Sequence, residues 1–491
     1  MFSSFRKTLS LSLLIALVVL SFTSPSFGQE SKVSPGAVIA EKIKNPEIQW
    51  KIPEIGKEVE KVQLTNGLTL YLMEDHELPL ISIEALIKAG DVYVPIEKKG
   101  TSEIFSQAWR TGGTRTMSGE EIDRQLEYLG ALLAASLGME AGSAKINLLA
   151  KDLEIGLTIF SEILMHPDFA EKEIVLAKEQ LKERLRRQND QPNAILLREF
   201  YHTLYGAHPY GRVLEWEPVS KITRQDLLDY HDKYFVPNNT SIGIVGDFQK
   251  RDMIEKVTKK FTSWSLKNVS FPKYLDLFPE FERKTILVNK DVNQSYIRMG
   301  HFGVMRGNPD AYAIELMNFI LGGDDLTSRM GAKIRSEKGL AYSISSFYNT
   351  DARDYGTFSV SSQTKTESTM QIIKVIEQEL EKISSTLISN QELSAAKESF
   401  MNEFVFRFTS PQAVVSQLME LDYKGYPKDY LKHYLENIKS VTREDILKVA
   451  KNYLKPDKMI LMIVGNKKDL GNQLELMGPV VVKDLKAPAL N

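Results

Sequence analysis

The chain has no cysteine and only seven histidines among its 491 residues. Without cysteine there is neither a disulfide framework nor a lipid-anchored N-terminal thiol. The histidines are His76, His166, His202, His208, His231, His301 and His433, and no two of them are four apart. No pair can therefore share a metal ion from one helical face. The nearest two, His202 and His208, are separated by Gly206 and followed by Pro209, so they straddle a helix end and a turn. His208 reads as a structural residue that closes the turn before Pro209-Tyr210-Gly211. Blocks of like charge are also absent, and the formal net charge is −2, which argues against a nucleic-acid-binding arm. The basic stretch Lys182-Glu183-Arg184-Leu185-Arg186-Arg187 is interleaved with Leu and Glu at helical spacing and reads as a solvated helix face.

The conspicuous apolar run is Leu11–Leu20, short of the roughly 20 residues that a bilayer span needs. Arg6 and Lys7 precede it, and Ser26-Phe27-Gly28 places small residues before Gln29. Charged, apolar and small residues in that order make residues 1–28 a signal peptide cleaved before Gln29. The expected destination is the periplasm of a Gram-negative bacterium, with no membrane contact after cleavage.

What the chain does contain is a repeat. The passage Ile222-Thr-Arg-Gln-Asp-Leu-Leu…Tyr234-Phe-Val-Pro237…Ile244-Val-Gly246 returns as Val441-Thr-Arg-Glu-Asp-Ile-Leu…Tyr453-Leu-Lys-Pro456…Ile463-Val-Gly465, at a constant offset of 219 residues. That offset is the size of a domain, far above the roughly 20–50 residues of solenoid repeats. In each copy a Thr caps a helix, the helix stops before a Pro, and an apolar strand ends at Gly. With 43% hydrophobic and 26% charged residues the chain can bury two good cores.

Patterning along the mature chain gives strand signals at 60–72, around an Asn66-Gly67 hairpin turn, and at 80–89. Helical periodicity follows at 101–110, at 118–129 behind a Ser118/Glu121 capping box, and at 153–165, 171–188 and 193–205. Strand signals return at 285–288 and 295–302. The domain plan is a signal peptide (1–28), an N-terminal extension (29–58), a first domain (59–265), a Pro-bearing linker (266–283), a second domain (284–470) and a C-terminal tail (471–491). Each half is expected to be an α+β sandwich with antiparallel pairing.

Several separated motifs carry a resemblance. They are Gly100-Thr-Ser-Glu103-Ile-Phe-Ser106-Gln107-Ala-Trp-Arg-Thr-Gly112-Gly113-Thr114, His208-Pro-Tyr-Gly211, and Leu321-Gly-Gly…Ser328-Arg329…Arg335-Ser-Glu-Lys-Gly-Leu-Ala-Tyr342. In this order, over about residues 60–466, they resemble the pitrilysin/insulinase family of zinc metallopeptidases, in particular the two-domain bacterial members related to mitochondrial processing peptidase. The resemblance implies a tandem duplication of an α/β sandwich whose two halves form a clamshell. It also implies a His-x-x-Glu-His run, with two His to ligate zinc and a Glu to take a proton from metal-bound water. Here those positions hold Glu103, Ser106 and Gln107. Only Glu103 is a good zinc ligand; Gln107 is a poor one, and Ser106 cannot serve as the base. The third family ligand, a Glu on a later helix, falls at Glu179, with Glu183 the alternative. In the second half the family supplies an Arg and a Tyr that hold the substrate backbone and the developing oxyanion, and Arg335 and Tyr342 match them. Alternatively, Arg335 pairs with Glu337 or a neighbour and Tyr342 packs in a sheet.

This pattern implies a non-catalytic subunit with no metal or cofactor of its own. It binds unfolded peptide and lends Arg335 and Tyr342 to a family paralogue that keeps His-x-x-Glu-His and the zinc. A chain active alone through a rearranged site at Glu103 and Glu179 is the second reading. A structural scaffold, like the core subunits of respiratory complex III, is the third.

Overall fold

Alternation sets the strands. In Leu80–Ile87 the residues Ile81, Ile83, Ala85 and Ile87 are buried and the intervening ones are not, the period-two pattern of a strand with one face on a core. The computed structural model describes residues 52–273 and 276–490. The signal segment and residues 29–51 of the extension lie outside them.

The first half holds β1 (Glu60–Gln63), β2 (Thr69–Glu74), β3 (Leu80–Ile87), β4 (Leu132–Leu137), β5 (Gly142–Leu149) and β6 (Thr240–Gly246), paired in the order β1-β2-β6-β3-β5-β4. The second holds β7 (Lys284–Asn289), β8 (Gln294–Phe302), β9 (Ala341–Tyr348), β10 (Thr357–Lys365), β11 (Ile460–Gly465) and β12 (Val480–Asp484), in the order β12-β7-β11-β8-β10-β9. From the second strand inward the two sheets match position for position. The cross-strand row Leu72–Ile244–Ile83 of the first returns as Leu287–Ile463–Ile297 in the second. Pairing is mostly antiparallel, but β2 with β6 and β7 with β11 are parallel.

The first half also contains α1 (Thr101–Thr111), α2 (Gly119–Leu129), α3 (Leu153–Met165), α4 (Glu171–Arg186), α5 (Pro192–Tyr205), α6 (Arg224–Tyr234) and α7 (Lys250–Phe261). The second contains α8 (Ala311–Asn318), α9 (Thr369–Ser385), α10 (Asn390–Phe404), α11 (Pro411–Tyr423), α12 (Tyr430–Ser440) and α13 (Arg443–Tyr453). The repeated passage forms α6 with β6 and α13 with β11. Both helices begin with a capping box, Thr223 with Asp226 and Thr442 with Asp445, in which each side chain accepts from the other residue's backbone N–H. The duplication is therefore one of three-dimensional structure.

One boundary needs correction. Residues 471–491 are not a plain tail, because Val480–Asp484 forms β12, parallel to β7. The first sheet fills the equivalent edge with β1, which precedes its hairpin partner. The stretch before β7, residues 266–283, has no strand among its described residues, so the β-branched run Val480-Val481-Val482 closes that edge from the far end of the chain.

The halves interlock through exchanged helices. α5, from the first half, lies on β8 and β11, while α11, from the second, lies on β2, β3 and β6. A strand glycine lets each helix in. A Cβ at Gly300 on β8 would come within 2.8 Å of Phe200 Cζ, and one at Gly243 on β6 within 2.4 Å of Met419 Sδ.

Two core histidines give the fold a pH dependence. His231 Nε2 lies 2.9 Å from the Leu164 carbonyl. His301 Nε2 accepts from the Lys455 N–H at 3.1 Å, so its Nδ1 carries the proton donated to the Phe302 carbonyl at 2.7 Å. Burial pushes both down to about 4. Their folded values lie below the unfolded value, so between about pH 6.5 and 4 the unfolded chain binds more protons and stability falls as pH falls. Each histidine is expected to remove up to about 3 kcal/mol across that window. Urea titrations at pH 7.5 and 5 check this. A His301→Gln variant should show a smaller drop, and an equal drop would remove His301 as a cause.

Candidate functional site

α1 is oriented by its apolar face. Ile104, Phe105, Ala108 and Trp109 are fully buried, and the Trp109 indole donates to the Ile163 carbonyl at 3.0 Å. Gly100 turns the chain into the helix at φ 111°, a left-handed conformation that favours glycine. The opposite face carries Glu103, Ser106 and Gln107, the three positions singled out in the sequence.

Two of the three, Glu103 and Ser106, are bonded into the fold. The Glu103 carboxylate accepts from Lys99 Nζ at 2.9 Å and from Ser102 Oγ at 2.8 Å, so it points back one turn toward Lys99 and away from Gln107. Lys99 is buried, and its Nζ also donates to buried Asp91 at 2.8 Å. Burial alone would lower the Lys99 pKa, but Glu103 and Asp91 outweigh it and hold the ammonium above its ordinary value. The Ser106 hydroxyl donates to the Ser102 carbonyl at 2.7 Å and accepts from the Leu137 N–H at 2.8 Å, which fastens α1 to the end of β4. Gln107 Oε1 is buried and has no hydrogen-bond partner among the described residues. On α4, which packs against α1, Glu179 is exposed, while Glu183 is engaged by Arg186 and Arg187 at 2.7 and 2.6 Å. The residues present do not fit a catalytic zinc. Among the described residues no three His, Asp or Glu side chains are grouped to hold a metal ion.

The second half brings its two predicted residues together. Arg335 lies in a π-helical turn, Gly331–Glu337, a form often found at functional sites. Its guanidinium sits over the Tyr342 ring, 4.8 Å from the centroid. Glu337, the neighbour offered as an alternative partner, pairs instead with Lys333 at 3.1 Å. Among the described residues no carboxylate pairs with Arg335. Tyr342 is 83% exposed on β9, the outermost strand of its sheet, so it does not pack inside the sheet. His208 closes its turn as expected: its Nδ1 accepts from the Tyr210 N–H at 3.3 Å and its carbonyl from the Gly211 N–H at 2.8 Å.

A feature the sequence did not signal is a cavity of about 630 Å³ between the halves, walled by Glu84, Glu140, Tyr205, Arg306, Asp351 and Lys424 among others. Arg306 links Asp351 at 2.9 Å to Glu140 at 3.4 Å, and Lys424 pairs with Asp351 and Glu420. This ion-pair chain joins the turn after β4 to the second half.

The family model described as insulinase (peptidase family M16) matches residues 71–216, and the one described as peptidase M16 inactive domain matches residues 221–400. A Rickettsia felis protein described as an uncharacterized zinc protease is 25% identical over 356 residues, covering 70% of this chain and 85% of that protein. The crystal structure of a peptidase M16 inactive domain from Pseudomonas fluorescens superposes with a TM-score of 0.74 at 22% identity, covering 83% of this chain and 98% of that one. The periplasmic protease PqqL from Escherichia coli gives a TM-score of 0.73 at 16% identity, covering 94% of this chain and 51% of that one. With two family models that together take in most of residues 71–400, and the same doubled sandwich in solved structures, the chain belongs to the insulinase family of peptidases, family M16.

Proposed function

We propose that this chain is a non-catalytic member of its family, exported to the periplasm, that binds unfolded peptide and completes the active site of a zinc-peptidase partner. The carrying observation is a contrast. Glu103 and Ser106 are bonded into the fold on the helix where a catalytic relative would need ligands and a base, whereas half-buried Arg335 and exposed Tyr342 stand side by side with no carboxylate on Arg335 among the described residues. Beside them β9 is the last strand of its sheet, with its Ser346 carbonyl already taken by Asn318 Nδ2 at 3.2 Å, and the unpaired part of a last strand can add an extended peptide by backbone hydrogen bonds. The partner keeps His-x-x-Glu-His and supplies the zinc, so cleavage needs both chains.

Reconstitution tests this. The purified chain alone is expected to carry no stoichiometric zinc and to leave an unstructured peptide intact. Mixed with a family member from the same organism that keeps the motif, it should co-elute and the mixture should cleave the peptide in a chelator-sensitive way. One zinc per chain together with chelator-sensitive hydrolysis by the chain alone would instead establish it as an enzyme with a rearranged site.

A further inference from the structure

β8 carries an arginine whose charge the chain leaves unanswered. Arg298 is half-buried and lies against the rings of Phe200 and Tyr201 on α5, its guanidinium 5.2 and 5.4 Å from their centroids. Its Nη1 donates to Ser361 Oγ at 3.1 Å, and its Nη2 to Ser359 Oγ at 2.8 Å and to the Tyr201 hydroxyl at 3.3 Å. Nε is buried without a hydrogen-bond partner, and among the described residues no carboxylate pairs with the group. The same position in the first sheet holds Glu84, one residue past Ile83 as Arg298 is one past Ile297. Glu84 accepts from Gln412 Nε2 at 2.9 Å and from Ser416 Oγ, both on α11. One exchanged helix thus answers its carboxylate with two donors, whereas the other brings the guanidinium two rings and a hydroxyl but no anion.

A guanidinium taken partly out of water is costly without a counter-charge. Hydroxyls accept its N–H groups but bring no charge, and each keeps its own O–H to donate. Neither Ser361 nor Tyr201 has an acceptor for that proton among the described residues. Both are half-buried, while Ser359 is 2% exposed and holds the guanidinium from beneath. Ser361 stands directly opposite Arg298 on β10, and Ser345 opposite Ser361 on β9. That row ends at the edge of the sheet, where Ser345 is exposed. We propose that Arg298, Ser361 and Tyr201 form an oxyanion site, which takes a carboxylate or phosphate group reaching it across Ser345 from the β9 edge. The anion supplies the missing charge and accepts both hydroxyl protons, alongside the charge-assisted hydrogen bonds that arginine makes to such groups. The site uses neither zinc nor a catalytic partner, so it stands or falls apart from the reading above.

Calorimetric titration tests the site with two probes, inorganic phosphate and N-acetylglycine, at an ionic strength held constant with sodium chloride so that screening does not change. The purified wild-type chain is compared with Arg298→Met, which keeps an apolar stem against the rings, and with the double variant Ser361→Ala/Tyr201→Phe, which keeps the guanidinium. Wild type is expected to bind one anion per chain, half-saturated at or below about 1 mM for the better probe, and that probe should raise its Tm. Tighter binding of N-acetylglycine would identify a peptide's terminal carboxylate as the source of the anion, and tighter binding of phosphate a phosphorylated ligand. Both variants should weaken binding at least about tenfold. If Arg298→Met folds poorly, the double variant decides alone. The proposal fails if wild type takes up neither probe saturably, or if the double variant or a folded Arg298→Met binds as tightly as wild type.

Discussion

Replacing Arg335 by alanine, or Tyr342 by phenylalanine, is expected to leave the fold intact and to lower peptide cleavage by the assembled complex about 10²–10³-fold. That is the effect, about 2.7–4 kcal/mol, of losing one donor aimed at a developing oxyanion. The stability cost should be small. Tyr342 is exposed, and a cation–π contact at an exposed site contributes only about 0.5–1 kcal/mol. Arg335→Lys separates two roles for the side chain. It keeps the charge and loses the planar fork, so a recognition role predicts a loss close to that of alanine, whereas charge alone predicts near-normal turnover. Circular dichroism and co-elution with the partner establish that each variant still folds and assembles. Unchanged turnover in both Arg335→Ala and Tyr342→Phe would leave the pair as an ordinary surface contact.

The motif helix was readable because its signal is local. Glu103, Ser106 and Gln107 fall on one helical face by spacing alone, and the apolar residues Ile104, Phe105, Ala108 and Trp109 fix which face is buried. What holds the polar face was not read. Half of it had a sequence signal, since Lys99 stands four residues before Glu103, the spacing of a helical ion pair. The other half, Asp91, sits in a turn before the helix and meets Lys99 only when the chain folds back. Ser106 is similar, because its partner Leu137 N is 31 residues on, at the end of a strand. The cavity between the halves lay further out of reach, with Glu140 and Arg306 166 residues apart.

For the fold, the repeat carried most of the information, since capping boxes and strand ends are written in short, nearly contiguous segments. The run Val480-Val481-Val482 was a strand signal inside what read as a tail. Nothing in α5, however, says which sheet it covers. Ile195, Leu196 and Phe200 make an apolar stripe that would suit either half. The choice is made by complementary shape, with Gly300 on β8 leaving room for the Phe200 ring.

That crossing yields a large expected stability effect, from Phe200→Ala. Phe200 is fully buried, in a cluster with Ile195 and Leu196 of its own helix and Val288, Ile460, Met462 and Val464 of the opposite sheet. The Arg298 guanidinium also lies 5.2 Å from its ring centroid. Truncation removes the ring and leaves a cavity that Gly300, with no side chain, cannot fill, so a loss of about 3–5 kcal/mol is expected. Trp109→Ala should cost about as much, but it empties a core that belongs to the first half alone. The two variants differ in cooperativity. Losing Phe200 weakens the contact through which one half is seated on the other, so urea unfolding followed by fluorescence and by circular dichroism should separate into two transitions. With Trp109→Ala the second half keeps its helix contact, and the first half should unfold at lower urea without loosening α5 from β8. Met419→Ala, at the reciprocal crossing over Gly243, is expected to act like Phe200→Ala, at about 2–5 kcal/mol. If Phe200→Ala costs under about 1 kcal/mol and its transitions stay coincident, the exchanged helices do not couple the halves.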